Sequence, residues 1–105
     1  MSDILKDLYI ILKQRKDADP ESSYVASLYK KGTKKITEKV IEEAEETIAE
    51  ALAGDQEKLK EESADLLFHL MVLWADLGVE PDEVFAVLEK RFGTGGHTEK
   101  AARKK

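Results

Sequence analysis

The segment from Glu62 to Leu77 restricts the possible fold of this chain more than any other. From Leu66 onward it is apolar on nearly every side, which is typical of a helix packed among other helices. A carboxylate in such surroundings is costly unless a cation or hydrogen-bond donors compensate it. Four ionisable residues nevertheless lie along one side of the helix: Glu62, Asp65, His69 and Asp76. The segment therefore predicts a buried helix with a cation beside its acidic side.

Most of these ionisable residues also have an ordinary structural explanation. Glu62 could lie at the solvated start of the helix, and Asp76 at its exposed end. A single histidine such as His69 is more often a hydrogen-bonded core residue than a metal ligand. Asp65 is harder to explain in this way because it immediately precedes the apolar run. The choice depends on whether a matching acidic pair occurs elsewhere in the chain.

Length and composition exclude several classes of protein. The chain has 105 residues, enough for one small domain with a modest core, and no cysteine for disulfides, thiolate zinc sites or a cysteine nucleophile. Charged residues at Asp3 and Lys6 argue against a signal peptide, and the apolar run is too short to span a bilayer. A formal net charge of −5 disfavours non-specific binding to nucleic acid. We expect a cytoplasmic protein with neither a membrane nor a nucleic-acid partner.

Hydrophobic periodicity predicts five helices and no strand, and hence an all-α fold. Asp19 and Pro20 are expected to cap and open the second helix, and Gly78 to close the fourth. The third helix carries the apolar pattern Ile36, Val40, Ala44, Thr47, Ile48 and Ala51. The predicted helices cover residues 2–16, 20–32, 33–53, 55–78 and 81–91. We expect a single domain over residues 1–105, with a mobile tail at about 93–105.

The third and fourth helices are expected to form an antiparallel hairpin. Gly54 supplies a helix stop and Asp55 a helix cap, which leaves only a tight connection between the two helices. A connection of this length places neighbouring helices side by side and antiparallel. The hairpin would form the centre of a small helical bundle.

The third helix contains the matching acidic pair. Glu43 and Glu46 repeat the three-residue spacing of Glu62 and Asp65, so each pair lies on one face of its helix. Glu46 precedes Gly54 by eight residues and Glu62 follows it by eight. In an antiparallel hairpin the two pairs therefore lie at the same height.

Four carboxylates converging at one height would repel one another unless a hard divalent cation joined them. Oxygen-only ligands favour Mg²⁺, with Mn²⁺ as the alternative, over zinc. Glutamates on helix surfaces are common and an isolated acidic run is weak evidence. The register across the hairpin nevertheless predicts a metal site formed by Glu43, Glu46, Glu62 and Asp65.

The acidic motifs also carry a resemblance to a known family. Glu42-Glu43-x-x-Glu46 followed by Glu62-x-x-Asp65 resembles the signature of the all-α, MazG-like nucleoside-triphosphate pyrophosphatases. Within that superfamily the chain looks most like the phosphoribosyl-ATP pyrophosphatase family. The closer match rests on Ser22-Ser23-Tyr24-Val25-Ala26, Lys39-Val40, Ala64-Asp65-Leu66-Leu67-Phe68-His69 and Arg91-Phe92-Gly93. The resemblance implies a bundle of about five helices around a central hairpin, completed by homodimerisation.

The resemblance implies hydrolysis of 1-(5-phosphoribosyl)-ATP to 1-(5-phosphoribosyl)-AMP and diphosphate, with Mg²⁺, in histidine biosynthesis. Cleavage of a phosphoanhydride needs positioning, charge neutralisation and an activated water, which an acidic metal site supplies. Glu42 or Glu46 could accept the proton of that water, and the sequence does not choose between them. His69 either orients a metal-binding carboxylate or belongs to the core.

Basic residues are expected to balance the phosphate charge. Lys39 is the strongest candidate because it lies one turn from Glu43. The remaining candidates are Lys30, Lys31 and Lys34, followed by Arg91, Lys100 and Arg103. A helix as apolar as residues 66–77 is hard to bury in one small chain, so the sequence also predicts a homodimer, in which basic residues of one subunit could serve the site of the other.

Two alternatives remain open from the sequence. A housekeeping pyrophosphatase acting on non-standard nucleoside triphosphates would use the same carboxylates with a different pocket for base and ribose. A non-enzymatic helical dimerisation module would leave Asp65 dispensable.

Overall fold

Five α-helices account for most of residues 3–93, the part of the chain that this computed structural model describes. They are numbered α1 to α5 along the chain, and one 3₁₀ turn spans Arg15–Asp17. The helices are α1 (Ile4–Gln14), α2 (Tyr24–Lys31), α3 (Thr33–Ala53), α4 (Gln56–Leu77) and α5 (Pro81–Phe92). No strand occurs among the described residues, so the all-α prediction is confirmed. The tail predicted at 93–105 lies outside the described residues except for Gly93.

The connection between α3 and α4 has the predicted turn chemistry. Gly54 closes α3 in the left-handed conformation at φ 75°, which a residue with a side chain rarely adopts. The Asp55 side chain accepts a hydrogen bond of 3.0 Å from the backbone N–H of Lys58 and so caps α4. With only two residues between them, α3 and α4 pack along each other as an antiparallel hairpin.

The predicted start of α2 is wrong. Asp19 caps only a single turn, in which its carboxylate accepts from the N–H of Glu21 and its carbonyl from the N–H of Ser23. The backbone of Ser23 is extended, at φ −128° and ψ 119°, and its hydroxyl accepts from the N–H of Ala26 at 3.1 Å. Because the Ser23 cap ends the turn that begins at Asp19, α2 begins only after Ser23.

The hydrophobic core lies at one end of the hairpin. We call residues 33–43 of α3 and 69–77 of α4 the base half, and residues 44–68 the tip half. Helices α1 and α2 pack against the base half, whose core contains Leu12, Leu28, Ile36, Met71 and Val72 with less than 2% of each side chain exposed. Within the tip half no residue is buried. The two halves of one hairpin therefore have different environments.

Helix α3 also carries a second, exposed apolar face. Ile48, which the sequence places in one apolar pattern with the buried Ile36, is 57% exposed, so that pattern is not buried along its whole length. The direction of Ile48 lies within about 40° of those of Ile41 and Leu52 around the helix axis. These two side chains are 58% and 85% exposed. We call these three residues the α3 stripe.

None of the helices in the described part of the chain is both long and apolar enough to cross a membrane.

Candidate functional site

An acidic cluster lies where the base and tip halves of the hairpin meet. Carboxylate oxygens of Glu43, Glu62 and Asp65 all lie within 4.8 Å of one another. Glu43 also belongs to an overlapping group with Glu42 and Glu46, defined by the same distance. We call these five residues the acidic cluster. The hairpin register thus places carboxylates of the two helices opposite each other, as the equal spacing around Gly54 predicts.

Two oxygen atoms of this cluster are buried without a hydrogen-bond partner in the described residues. They are Glu43 Oε1 and Glu62 Oε1. Glu43 is only 7% exposed, although carboxylates are rarely buried without compensation. The inner end of the cluster therefore presents oxygen atoms that a cation would satisfy.

Burial and mutual repulsion disfavour the ionised form of the carboxylates in the absence of a cation. Burial raises the pKa of Glu43, and the neighbouring charge of Glu46 raises it further. Contact with the Glu46 carboxyl, followed by burial, raises the pKa of Glu62 to about 7. At neutral pH, then, Glu62 competes with its neighbours for a proton, and a divalent cation would relieve that competition.

The donor set fits a hard divalent cation. All of its atoms are carboxylate oxygens, and neither sulfur nor a histidine nitrogen belongs to either group. Opposite ligands of an octahedral Mg²⁺ site lie about 4 Å apart, because each bond is about 2.1 Å long. The carboxylate oxygens of each group lie within 4.8 Å of one another, which is near enough for one ion to contact all of them after side-chain adjustment.

Lys39 lies at the edge of the acidic cluster. Its ammonium nitrogen is 3.2 Å from Glu42 and 3.9 Å from Glu43. Burial lowers the pKa of Lys39, but the hydrogen bond to Glu42 and the surrounding charges outweigh burial and leave the pKa raised. Lys39 thus stays protonated and offsets part of the negative charge of α3.

Comparison with known proteins identifies the family to which the chain belongs. The model of the phosphoribosyl-ATP pyrophosphohydrolase family matches residues 5–92, which is most of the chain. The chain belongs to the phosphoribosyl-ATP pyrophosphohydrolase family. This confirms the resemblance drawn from the acidic motifs and the segments around them.

Several proteins named phosphoribosyl-ATP pyrophosphatase are similar over nearly their whole length. The one from Azospirillum brasilense is 55% identical over 101 residues, which cover 96% of this chain and 91% of the relative. That from Rhodospirillum rubrum is 52% identical over 103 residues, with coverages of 98% and 88%. That from Paramagnetospirillum magneticum is 50% identical over 104 residues, with coverages of 99% and 95%.

His69 is buried beside the acidic cluster and contacts the backbone of a predicted metal ligand. Its Nδ1 lies 2.8 Å from the carbonyl oxygen of Asp65. A carbonyl only accepts, so Nδ1 carries the hydrogen, and in the neutral imidazole Nε2 is left as an acceptor. The Tyr24 hydroxyl, 2.8 Å from Nε2, then donates to it. Among the described residues His69 thus joins α2 to α4, and its predicted influence on a metal-binding carboxylate stays a prediction.

Tyr24 is a residue of this site that the sequence did not single out. In the sequence it is named only within the segment that carries the family resemblance, and its side chain is 51% exposed. Burial of the hydroxyl raises its pKa, while the nearby charge of Lys39 acts in the opposite direction. Its place in the Ser-Ser-Tyr segment is the sequence signal that could have identified it.

The other predicted basic residues have no observed contact with the acidic cluster in the part of the chain that the structure describes, so their role stays a prediction. Lys30 and Lys31 lie in the last turn of α2, at the opposite end of that helix from Tyr24. No ion pair within residues 3–93 joins either lysine or Arg91 to the cluster. The remaining two predicted residues, Lys100 and Arg103, lie outside the described part of the chain.

Proposed function

We propose that this chain hydrolyses 1-(5-phosphoribosyl)-ATP to 1-(5-phosphoribosyl)-AMP and diphosphate, as a step of histidine biosynthesis, with Mg²⁺ at the acidic cluster. The pyrophosphohydrolase reaction is the one for which the family is named. The observation that carries the assignment is the convergence of Glu43, Glu62 and Asp65 with buried, unpartnered oxygen atoms. A fold without a catalytic site would have little reason to keep such a costly arrangement.

Glu43, Glu46, Glu62 and Asp65 are the residues that would hold the metal ion. When bound, Mg²⁺ neutralises phosphate charge and orients the diphosphate portion of the substrate. Glu43 approaches from the buried side of α3 and Asp65 from the exposed side of α4. The polyphosphate would therefore approach the cluster from its solvent side.

Glu46 is better placed than Glu42 to accept the proton of the attacking water. The Glu42 carboxylate is already paired with the Lys39 ammonium at 3.2 Å. Glu46 instead contacts Glu62 across the hairpin and forms no ion pair within residues 3–93. A carboxylate without a cationic partner is available to accept a proton from water.

Lys39 would neutralise charge on the phosphates. Its side chain is half-buried against α3, and its ammonium already lies beside two carboxylates of the cluster. Cations held in a fixed position near a reacting phosphate stabilise the charge that develops on it.

We also propose that two copies of the chain associate through the α3 stripe. The sequence predicts a dimer from the apolar run at residues 66–77 of α4, but most of this run is covered within the chain. Among its large apolar residues, Leu67 and Leu77 are more than a third exposed. The α3 stripe exposes more apolar surface and continues along the tip half, which no other helix within residues 3–93 buries. A second copy would cover it and could bring basic residues to the site.

The decisive experiment measures diphosphate release from 1-(5-phosphoribosyl)-ATP and from a panel of nucleoside triphosphates, with Mg²⁺ and with chelator. We expect release from the phosphoribosyl substrate only with metal. Glu46→Gln should lose about 100-fold or more in kcat, as expected for removal of a general base. Glu45→Gln, one position along and exposed, is the matched control and should retain activity.

Other outcomes would identify the alternatives. A preference for ordinary or modified nucleoside triphosphates would indicate a housekeeping pyrophosphatase. Hydrolysis of none of them would favour the dimerisation module. Equal activity of Glu46→Gln and Glu45→Gln would reject Glu46 as the base.

A further inference from the structure

A groove of about 410 Å³ opens beside the acidic cluster and is not used by the chemistry described above. It is formed where the 3₁₀ turn after α1, the start of α2 and the middle of α4 meet. Arg15, Ser22, Tyr24 and Phe68 are the lining residues with chemically distinctive side chains. Its volume lies within the range of about 300 to 1,000 Å³ that small-molecule sites occupy.

The aromatic wall of the groove is linked to the acidic cluster through His69. Tyr24 lines the groove and donates to His69, whose other nitrogen is hydrogen-bonded to the Asp65 carbonyl. Phe68 lines the groove from α4, three residues after Asp65, and its ring packs edge-on against His69 with centroids 5.2 Å apart. A ligand that has its phosphates at the cluster could therefore extend into the groove past these two rings.

The chemistry of the groove differs from that of the cluster. The cluster is acidic, whereas the groove has aromatic side chains and the guanidinium of Arg15. The Tyr24 hydroxyl is hydrogen-bonded to His69, and this bond holds the Tyr24 ring in place. Aromatic rings offer stacking surfaces for a nucleobase, and arginine binds phosphate oxygens with paired hydrogen bonds.

Arg15 is available for such a ligand. It takes part in none of the ion pairs within residues 3–93, whereas its neighbours Lys13 and Lys16 each lie over a tyrosine ring. Arg15 also ends α1 through its backbone N–H alone, so its side chain is not needed for that role.

We propose that this groove binds the phosphoribosyl-adenine half of the substrate, with the base against Tyr24 and Phe68 and the terminal phosphate monoester on Arg15. The inference rests on the proposed function, since it assumes that the diphosphate end lies at the acidic cluster. Arg15 is then the residue that distinguishes the substrate from ATP. ATP lacks the second ribose phosphate and leaves the guanidinium without a partner.

The test compares Arg15→Gln with Lys16→Gln. Both variants remove one positive charge from the same 3₁₀ turn, but Lys16 points to the Tyr29 ring, 5.6 Å from its centroid. Steady-state kinetics with 1-(5-phosphoribosyl)-ATP should show KM raised roughly tenfold in Arg15→Gln, with kcat little changed, as for loss of one charge-assisted hydrogen-bonded pair. Lys16→Gln should match the wild type.

A binding measurement locates the effect on the substrate. Calorimetric titration with 1-(5-phosphoribosyl)-AMP and with AMP, in chelator, compares two ligands that differ only in the phosphoribosyl group. We expect Arg15→Gln to weaken binding of the first roughly tenfold and to leave that of AMP unchanged. Tyr24→Leu, which removes the ring, should weaken both.

The outcomes separate this inference from the proposed function. Absence of hydrolysis by the wild type would reject the proposed function, while the titrations would still decide whether Arg15 recognises the phosphoribosyl group. Active enzyme with an unchanged KM in Arg15→Gln would overturn the inference. Equal weakening of both nucleotides would overturn it as well, because it would place Arg15 at the AMP portion.

Discussion

The base and tip halves of the α3–α4 hairpin are built from the same two helices but have different surroundings. In the base half, Ile36, Met71 and Val72 are completely excluded from solvent by α1 and α2. In the tip half no side chain is buried, and Leu52 is 85% exposed. The acidic cluster lies at the boundary between these environments.

The difference indicates a division of roles along the hairpin. The base half can fix the position of Glu43 and His69 because they are held within or beside a packed core. The tip half leaves Asp65 accessible, so a metal ion and a phosphorylated substrate can approach. A site at this boundary combines rigid support with access, as binding and catalysis require.

The comparison predicts the largest stability effect in the base half. Met71→Ala should lower the free energy of unfolding by about 2 to 5 kcal/mol, because it removes a fully buried side chain and leaves a cavity. Leu77→Ala in the same helix is the control, since Leu77 is 60% exposed and should cost less than about 1 kcal/mol. Urea titrations followed by circular dichroism measure both. Similar losses would mean that the base half is not the stabilising core.

The next prediction concerns how the tip half is covered. The wild type should have the mass of a dimer by light scattering at micromolar concentration, because the α3 stripe is apolar and exposed. Ile48→Glu should give a monomer, since a charge would be buried at the interface. Ala53→Glu adds the same charge on another side of α3 and should remain dimeric. A monomeric wild type, or equal masses of the two variants, would reject the stripe as the interface.

The hairpin was the most predictable part of the molecule. Gly54 and Asp55 specify its turn by local chemistry, and the equal spacing of Glu46 and Glu62 about that turn determines the register. Because both signals are local, the convergence of carboxylates across the hairpin followed from the sequence alone.

Features that depend on contacts between distant segments were not predictable in this way. The sequence gives no sign that Tyr24 donates to His69, 45 residues away, or that Arg15 shares a groove with Phe68. The exposed position of Ile48 was also missed, because the apolar pattern of α3 is wide enough to contain two faces. Competition between Asp19 and Ser23 as caps displaced the start of α2.

A smaller effect is expected where the two halves meet. At ten times its dissociation constant, Mg²⁺ should stabilise the wild type by about 1.4 kcal/mol if one site binds only the folded form. Mg²⁺ should stabilise the Asp65→Asn variant much less. In chelator the variant should be at least as stable as the wild type, since the Asp65 charge raises the pKa values of Glu43 and Glu62.

Asp76→Asn is the matched control for this prediction. Asp76 lies in the same helix but accepts a hydrogen bond of 2.6 Å from Thr33, away from the acidic cluster. Thermal melts with and without Mg²⁺ should show that the ion stabilises this variant as much as it stabilises the wild type. An equal gain in Asp65→Asn would mean that Asp65 is not a ligand.

The smallest expected effect is the pH dependence of the metal-free protein, because solvent screens the interaction between partly exposed carboxylates. Folding raises the pKa of Glu62 from its ordinary 4.5 to about 7, so between these values the folded state binds a proton that the unfolded state does not. Stability from this group is therefore lost as the pH rises from about 4.5 to about 7, and the loss is complete above the folded pKa.

The variant Glu62→Gln cannot ionise and should lack this loss of stability. In chelator its melting temperature should rise relative to wild type between pH 5 and pH 8, whereas the exposed neighbour variant Glu61→Gln should follow the wild type. Parallel curves for all three proteins would show that Glu62 is not forced to share a proton at the boundary, and that the cluster tolerates its charge without metal.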